Sequence, residues 1–421
     1  AMDRPDRKAI AAAWLDARWS ALTLRQRGDV ETRQARLWRR MQPVVAATPA
    51  IAHLAGQSLD RFPIMEPRDL RGVLVDWNTL GLTQHQAEAA ARDAEADGEG
   101  LVAPGVAAGF STGSSGTPGL FLSSRAERAA YLGHLLARLL PVRDLIRPLR
   151  IALCLRANNR LYQDAGKTGR IRFLFVGLGD DPTARFDRLQ TFRPDILIAP
   201  PHVLADLVRR TQSNDRAWSL RRLFYGAEPM GEAERAWVGS VLGTRADPLY
   251  QATEGFIAAP CRHGTLHLNE DVLIIEREPV PGTDRFVPVV TDLRRTSQPI
   301  IRVRLGDLLQ PLEGRCVCGS PLTAIHPVEG RLEDVWRWPG VVIPPRVVET
   351  TISAAVEPDI EWRATANPEG VIVEAAGSHA YAAAAAITQL LAAHNLDLPV
   401  TAQPQAPVHG IKRRRVRWSN G

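Results

Sequence analysis

Residues 195–225, DILIAPPHVLADLVRRTQSNDRAWSLRRLFY, contain two short apolar runs separated by a segment of helical periodicity. The runs at 195–199 and 221–225 predict buried strands, and 201–211 predicts a helix that connects them as a parallel crossover. The same alternation continues on both sides, with predicted strands at 149–155, 171–176 and 247–251 and a predicted helix at 231–242. This pattern predicts a parallel sheet with helices on its faces, in which ligands bind at the carboxyl ends of the strands.

The segments that flank this region have different patterns. Residues 9–60 and 84–96 carry apolar residues at helical spacing and predict further helices. Ser124 and Glu127 form a capping box, which predicts that another helix begins there. Residues 266–310 combine short strands with turns and show few helical patterns, so they predict a β-rich region.

After Gly330 the pattern changes to a small α+β unit. We therefore predict an α/β protein with two domains. The large N-terminal domain, 1–332, would have mixed and parallel sheets flanked by helices, with a β-rich subdomain at about 260–330. The C-terminal domain, 333–421, would be a small, mobile α+β lid.

The composition is that of an ordinary globular protein of 421 residues, with 52 basic and 46 acidic side chains and a net charge of +6. No apolar run of about 18 residues occurs, so we expect no membrane span. The N-terminal residues lack the apolar core of a signal peptide, which favours a cytoplasmic protein. The mild positive charge suits an anionic small substrate as well as it suits nucleic acid. Lysine is rare and occurs only as Lys8, Lys167 and Lys412.

A loop rich in small residues, STGSSGTPG, occupies residues 111–119. Such a loop allows backbone N–H groups and hydroxyls to point at a phosphate chain. It lacks the lysine of the P-loop nucleotidases, which excludes that class. By itself the pattern also fits a flexible Ser/Gly loop.

Four further segments carry polar residues beside predicted strands or turns. YQATE at 250–254 offers an aromatic ring for a base, a hydroxyl for a phosphate and a carboxylate for Mg²⁺. YGAEP lies at 225–229, RVRLGD at 302–307 and GRLED at 330–334. Asp307 follows a glycine turn and can accept two hydrogen bonds from a ribose, although turn chemistry alone also explains it.

The order and spacing of these five segments resemble the adenylate-forming superfamily, which includes acyl-CoA synthetases, adenylation domains and luciferases. Within it the chain is similar to the branch of phenylacetate–CoA ligase and coenzyme F390 synthetase, and to a group known only as adenylate-forming enzymes. The segments LRANN at 155–159, YQATEG at 250–255, GTLHLNE at 264–270 and CGS at 318–320 carry that similarity. The resemblance covers about residues 60–421.

The resemblance implies a role for each segment. The β- and γ-phosphates of ATP would be held by Ser111, Thr112, Gly113, Ser114, Ser115, Gly116 and Thr117. The adenine would be lined by Gly226, Ala227 and Glu228 and stacked on Tyr250. Further contacts would be Thr253 to the α-phosphate, Glu254 to Mg²⁺, Asp307 to the ribose, and Arg331 to the ribose or a phosphate at the hinge.

Lys412, in the basic segment GIKRRRV, stands where the family places a lysine that bridges the substrate carboxylate and the α-phosphate. Because adenylation brings two anions together, Mg²⁺ and one mobile cation would carry much of the rate effect. The five Lys and Arg residues between 412 and 417 also fit a solvated or RNA-contacting tail. The chain departs from many relatives at Leu120 and Phe121, where they carry a lysine, and at Glu333, where Asp is common.

The resemblance implies activation of a carboxylic acid, aryl or of medium length, as an acyl-adenylate and its transfer to the thiol of CoA or a carrier protein. In the family the small domain rotates between these half-reactions, and Gly340 stands where a glycine loop lines the thiol tunnel. The alternatives are transfer to an amine or hydroxyl, AMP transfer to a phenolic hydroxyl as in coenzyme F390 synthetase, and a non-catalytic nucleotide-binding protein. We expect no nucleic-acid or membrane partner, and the analogy allows a homodimer.

Four residues with metal-ligand chemistry are Cys261, His267, Cys316 and Cys318. Three thiolates and one imidazole suit the closed tetrahedral shell of a structural zinc ion. The Cys-x-Cys spacing is tighter than the usual Cys-x2-Cys, His263 is an alternative fourth ligand, and three free thiols remain the other interpretation. Cys154 lies in an apolar run, which predicts core packing.

Overall fold

The structure is a computed structural model, and it describes residues 6–96, 100–110, 119–145, 147–155, 171–214, 217–408 and 412–419. The N-terminal part is helical. Its helices are α1 (Arg7–Thr23), α2 (Arg27–Ala46), α3 (Pro67–Gly72) and α4 (Gln84–Glu95), with 3-10 turns at Pro49–Leu54 and Leu59–Arg61. No helix among these described residues is both long and apolar enough to cross a membrane.

A small antiparallel sheet follows α4 and packs against it. Its strands are β1 (Leu101–Ala103), β2 (Val106–Phe110) and β3 (Leu120–Ser124). These strands were not predicted, because glycines and alanines interrupt the alternation of apolar and polar residues there. Phe110 pairs with Leu120, so the chain leaves and re-enters this sheet at two adjacent strand ends.

The central sheet is parallel throughout and has the strand order β5-β4-β6-β7-β8. Its strands are β4 (Leu149–Leu155), β5 (Ile171–Gly177), β6 (Ile196–Ala199), β7 (Arg222–Tyr225) and β8 (Ala246–Pro248). The helices around it are α5 (Arg125–Leu139), α6 (Val142–Leu145), α7 (Pro182–Phe192), α8 (Pro201–Asn214) and α9 (Glu232–Leu242). The predicted α/β fold with a helix-flanked parallel sheet is confirmed.

The two faces of this sheet bury different side chains. Ile151 and Leu153 of β4 face α5, whereas Ala152 and Cys154 face α7, α8 and α9. Because successive side chains of a strand point to opposite faces, continuous apolar strands are required here. Cys154 is fully buried, and burial raises the pKa of its thiol to about 12.

The β-rich region follows the central sheet. Its strands are β9 (Tyr250–Ala252), β10 (Gly255–Pro260), β11 (Leu266–Leu268), β12 (Leu273–Pro279), β13 (Phe286–Asp292), β14 (Val303–Arg304), β15 (Asp307–Leu308), β16 (Ala324–Ile325) and β17 (Gly330–Arg331). They form sheets of order β16-β11-β10-β9, β12-β13-β14 and β15-β17. The largest apolar cluster joins these sheets to α2 and the 3-10 turns, so the N-terminal helices are part of the same core.

The C-terminal unit, called the lid below, has its own apolar core around Trp336 and Trp362. Its elements are β18 (Trp336–Trp338), β19 (Val341–Ile343), α10 (Pro345–Ser353), β20 (Trp362–Asn367), β21 (Gly370–Ala375), α11 (His379–Ala393), β22 (Val400–Gln403) and β23 (Val416–Trp418). Its main sheet has the order β22-β21-β20-β23. The domain boundary near Glu333 stays a prediction.

Candidate active site

The first part of the candidate site is a carboxylate held by two neighbours. Asp307 of β15 pairs directly with Arg331 of β17, and the Arg331 guanidinium donates to Asp307 Oδ1 at 3.0 Å. The hydroxyl of Tyr250 donates to Asp307 Oδ2 at 2.7 Å. Each carboxylate oxygen therefore has one protein donor and keeps a lone pair that can accept from a ligand hydroxyl.

The close approach of Arg331 depends on Gly306. A Cβ at that position would lie 2.7 Å from the Arg331 Nη2 atom, so a side chain there would displace the guanidinium. Tyr250 is buried, and burial together with Asp307 holds the pKa of its hydroxyl well above its usual range. The phenol is therefore a permanent hydrogen-bond donor at ordinary pH.

Glu254 lies on the same side of the site, two residues beyond β9. Glu254 is 9% exposed. Burial raises the pKa of its carboxyl; Asp307 adds to the increase, while Arg295 and Arg331 oppose it. A divalent cation would remove this penalty, because it stabilises the ionised carboxylate. Thr253 precedes it, and its carbonyl oxygen accepts from Arg295 at 3.3 Å.

The segment after β7 brings a third group of residues toward this site. Gly226 packs against the strand before Tyr250: a Cβ there would lie 3.1 Å from the Leu249 carbonyl oxygen. Ala227 has φ of 69°, a left-handed conformation that is rare for a residue with a side chain. Backbone strain of this kind is common at functional sites.

Glu228, which was predicted to line the adenine, is bonded to two other parts of the chain. Its side chain is 2% exposed, and its Oε1 lies 2.8 Å from His202 Nδ1 and accepts from the backbone N–H of Arg413 at 2.8 Å. His202 was missed by the sequence analysis. The signal was present, since His202 stands three residues beyond β6, in the first turn of α8 at the carboxyl end of the strand, where parallel sheets bind ligands.

Lys412 is therefore brought next to this cluster, because its chain neighbour Arg413 is bonded to Glu228. Lys412 itself is partly exposed. The alternative of a solvated basic tail is wrong for this segment, since the Arg413 side chain is 1% exposed and residues 416–418 form a strand of the lid. Arg413 and Arg415 form ion pairs with Glu234 of α9, and Arg414 forms one with Asp334.

The residues of the predicted phosphate loop cannot be placed relative to the other site residues. Ser111, Thr112, Gly113, Ser114, Ser115, Gly116 and Thr117 lie outside the described residues. Leu120 and Phe121, where relatives carry a lysine, form the start of β3, and Leu120 is buried in the small core against α4. Glu333, the hinge carboxylate, forms an ion pair with Arg414 at 3.0 Å.

An apolar cavity lies between α5 and the central sheet, beside this site. It is lined by Leu132, Leu136, Leu153 and Ile198 together with other apolar residues. The polar group in its wall is the amide of Gln251, which donates to the Tyr131 hydroxyl at 2.6 Å. Gln251 directly follows Tyr250 in β9, so the same strand contributes one residue to the cavity wall and one to the site.

The four potential zinc ligands come together at the end of β10, in β11 and in the loop at 315–320. The ligand atoms of Cys261, His267, Cys316 and Cys318 all lie within 4.8 Å of one another. His263 is not part of the cluster, and its Nε2 accepts from Arg262 at 2.9 Å.

Comparison with known proteins identifies the fold. No family model matches the chain. A phenylacetate–coenzyme A ligase of Thermus thermophilus is 29% identical over 202 residues, which cover 44% of this chain and 45% of that protein. The match thus spans about half the length of this curated relative.

Solved structures match over more of the chain. A 2-hydroxyisobutyryl-CoA ligase in the postadenylation state, in complex with an acyl-AMP, covers 93% of this chain and 88% of its own, with a TM-score of 0.67 and 15% identity. The amide bond synthetase McbA of Marinactinospora thermotolerans covers 73% of this chain and 67% of its own, with a TM-score of 0.53 and 16% identity.

This chain has the fold of the adenylate-forming ligases. The predicted resemblance to that superfamily and to its phenylacetate–CoA ligase branch is confirmed. Tyr250, Asp307 and Arg331 are hydrogen-bonded together with Glu254 close enough to interact with Asp307, and Glu228 accepts from the segment that carries Lys412. The individual roles of these residues stay predictions.

The burial of Glu254 predicts a pH-dependent effect on stability. Its folded-state pKa is raised, so its contribution to stability is fully present below the unfolded pKa and is lost as pH rises through the folded pKa. Glu254→Gln should therefore raise the free energy of unfolding of the metal-free protein near neutral pH, by about 1.4 kcal/mol per unit of pKa elevation.

Urea unfolding of wild type and variant at about pH 7.5 and about pH 4.5 checks this, because the difference should shrink at the lower pH. Glu369→Gln, an exposed carboxylate in the turn between β20 and β21, is the matched control and should change little at either pH. A Glu254→Gln protein that is no more stable than wild type near neutral pH would contradict the argument.

Proposed function

We propose that this protein activates a carboxylic acid with Mg²⁺-ATP as an acyl-adenylate and then transfers the acyl group to a thiol, that of CoA or a carrier protein. The observation that carries the proposal is the convergence of motif residues far apart in the chain. Tyr250, Asp307 and Arg331 are hydrogen-bonded together, and Arg413 joins Glu228 beside them.

The nucleotide part of the proposal assigns a task to each of these residues. Asp307 would accept from the ribose hydroxyls with the lone pairs that Tyr250 and Arg331 leave, and Arg331 would contact the ribose or a phosphate. Glu254 would supply a hard oxygen to Mg²⁺, for which its buried carboxylate is suited. Thr253 would contact the α-phosphate.

The reaction needs a cation where the carboxylate meets the α-phosphorus. Lys412 would supply it, since a positive charge aimed at the developing charge lowers the barrier when water is excluded. The Arg413 side chain next to it in the chain is paired with Glu234, and Lys412 is partly exposed. Pyrophosphate is the leaving group of this step, and the acyl-adenylate is the product.

The acid would have an apolar body, aryl or of medium acyl length. The cavity between α5 and the central sheet has the matching chemistry, because its walls are leucine and isoleucine side chains apart from Phe173 and Gln251. Its volume of about 20 Å³ is that of a water-sized site, so these side chains would have to move apart to admit an acyl group. Burial of such a group is worth about 25 cal/mol per Å² of apolar surface, whereas a charged body would lose its hydration there.

The identity of the group that accepts the acyl moiety distinguishes the proposal from its alternatives. The 2-hydroxyisobutyryl-CoA ligase has been solved with its acyl-AMP and CoA, which supports a thiol acceptor here. McbA is an amide bond synthetase, so an amine acceptor is the second candidate. If the protein instead transferred AMP to a phenol, ATP–pyrophosphate exchange would depend on an added phenol and not on an acid.

The deciding experiment is ATP–pyrophosphate exchange across a panel of aryl and medium-chain acids, followed by product analysis with CoA, an acyl-carrier protein or an amine. We expect exchange that requires both the acid and Mg²⁺, and thioester formation with a thiol. Exchange with a phenol and no acid would replace the proposal by AMP transfer. ATP binding without exchange across the whole panel would indicate a non-catalytic nucleotide-binding protein.

Lys412→Ala should lower the exchange rate by about 100-fold and leave the affinity for ATP nearly unchanged, because the lysine acts on charge that develops in the transition state. Exchange kinetics and equilibrium ATP binding measure the two effects separately. Lys8→Ala, an exposed lysine in the first turn of α1, is the matched control and should behave as wild type. Exchange at the wild-type rate in Lys412→Ala would remove this role.

We also propose a structural zinc ion bound by Cys261, His267, Cys316 and Cys318. The Sγ atoms of Cys261 and Cys316 are 3.9 Å apart, and Cys318 Sγ is 3.4 Å from His267 Nε2. In a tetrahedral shell with Zn–S of about 2.3 Å and Zn–N of about 2.05 Å, these separations would be about 3.8 and 3.6 Å.

The surroundings of the cluster suit a metal as well. His267 Nδ1 lies 3.0 Å from the Leu322 carbonyl oxygen, so it carries the proton and leaves the Nε2 lone pair directed at the cluster. The backbone N–H groups of His263 and Ser320 donate to Cys261 and Cys318 at 3.4 Å each. Such donors stabilise thiolates, the form that binds zinc.

Metal analysis of the purified protein should find about one zinc per chain. Cys316→Ser with Cys318→Ser should lower this below about 0.3 per chain, and the thermal midpoint should fall because the metal binds the folded state. Cys154→Ala, a buried cysteine outside the cluster, should keep the zinc. Less than about 0.3 zinc in the wild-type protein would remove the proposal.

A further inference from the structure

The lid is joined to the large domain by a buried ion pair next to Lys412. The Arg413 guanidinium donates to both carboxylate oxygens of Glu234, at 2.7 and 2.8 Å. The two side chains are 1% and 3% exposed. Glu234 lies in the first turn of α9, in the large domain, whereas Arg413 leads into β23 of the lid, so the pair spans the two units.

The same arginine is held by its backbone. Its N–H donates to Glu228 Oε1 at 2.8 Å, and Glu228 in turn contacts His202. Arg413 therefore has its main chain and its side chain both bonded to the large domain. Because Lys412 is its direct neighbour, the position of the lysine backbone is determined to within one peptide unit.

Further charges surround the pair. Arg415 donates to Glu234 Oε2 at 3.0 Å, and Glu361 of the lid accepts from Arg413 at 3.2 Å and from Arg209 of α8 at 3.1 Å. Burial disfavours the ionised form of Glu234, but Arg413 and Arg415 outweigh that effect and lower the pKa of its carboxyl. The pair thus stays ionised throughout the ordinary pH range.

The neighbouring helices meet closely at the same place. A Cβ at Gly231, the N-cap residue of α9, would lie 1.6 Å from the carboxylate of Glu349 on α10 of the lid. The lid carboxylate therefore occupies the space that a side chain would take. Burial raises the pKa of the Glu349 carboxyl, and the nearby Glu234 adds to the increase, so this contact depends on close packing and not on the charge of Glu349.

We propose that Arg413 and Glu234 are positioning residues that dock the lid in the arrangement in which Lys412 reaches the adenylation site. The inference rests on the proposed function. Neither residue would touch the substrate, and each would act through Lys412. Since the contacts form only when the lid lies against α9, they would favour the adenylating arrangement and would be broken when the lid rotates for thioester formation.

A docking role of the Arg413–Glu234 pair predicts different effects of its loss on the two half-reactions. Removing the charge of Glu234 leaves Arg413 buried without its main partner, which penalises the docked arrangement selectively. Adenylation then becomes slower because the competent population falls. Thioester formation from a preformed acyl-adenylate does not need this docking, so it stays at the wild-type rate or becomes faster.

The test measures both half-reactions in Glu234→Gln, using the acid that gives the fastest exchange and, for the second step, its synthetic acyl-adenylate with CoA. We expect ATP–pyrophosphate exchange to fall about 10-fold or more, with an unchanged KM for ATP and undiminished thioester formation. Arg413→Lys should recover part of the loss relative to Arg413→Gln, because an ammonium keeps the charge and loses the bidentate geometry.

Glu374→Gln is the matched control. Glu374 and Arg363 form an equally short bidentate pair, with Arg363 Nη2 2.6 Å from Glu374 Oε1, but both residues lie within the lid sheet. This variant should leave both half-reactions unchanged. Wild-type exchange in Glu234→Gln would overturn the proposal, and so would an equal loss in both half-reactions, which would indicate general damage to the fold.

A measurement without catalysis separates this inference from the proposed function. Residues 412–415, KRRR, are four consecutive trypsin sites, and cleavage requires that they leave the large domain. Intact-mass analysis should show faster loss of the C-terminal residues in Glu234→Gln than in wild type or Glu374→Gln. Equal cleavage rates would overturn the docking role even in an active enzyme. Faster cleavage in a protein without exchange activity would retain docking and reject the function.

Discussion

Asp307 is the residue through which three separate parts of the chain are held in one place. Its two oxygens accept from the hydroxyl of Tyr250, which follows the central sheet, and from the guanidinium of Arg331, which leads into the lid. Since a buried phenol and a half-buried arginine are both costly without partners, the carboxylate stabilises all three segments together. Its charge also reaches Glu254 and contributes to the raised pKa of that carboxyl. The same group thus shapes the fold of the site and its affinity for cations.

Two buried carboxylates of this protein, Glu234 and Glu254, differ in how far neighbouring arginines compensate their charge. Glu234 is nearly inaccessible, but two arginines lower its pKa, so its charge is already compensated. Glu254 is similarly buried, and its pKa is raised because desolvation exceeds the attraction of nearby arginines. A compensated carboxylate is typical of an internal contact, whereas an uncompensated one at the end of a strand is typical of a cation site. This distinction supports separate tasks for docking and for metal binding.

Sequence reasoning predicted the parallel sheet, most of its helices and the convergence of the regions around 250, 307 and 331. These features depend on local patterns: apolar runs of strand length, capping residues and short motifs with characteristic order. It did not predict the small sheet β1–β3, whose Gly- and Ala-rich strands lack an alternating pattern, or the partners of Glu228. His202 and Arg413 are separated from Glu228 by long stretches of chain, and no local signal specifies such contacts. The basic segment after 412 was equally compatible with a solvated tail until the carboxylates facing it were known.

The pairing of β23 places a limit on how the end of the lid can vary. Val416 pairs in parallel with Ala364, while Arg413, three residues earlier, is bound to the other domain. The number of residues between these two fixed points is therefore set by the distance that they must span. Insertion or deletion of a single residue there would either shift the strand by one position, which turns its buried face outward, or withdraw the arginine from its partner. During divergence the length of this segment can therefore change only if one of its two anchors is lost.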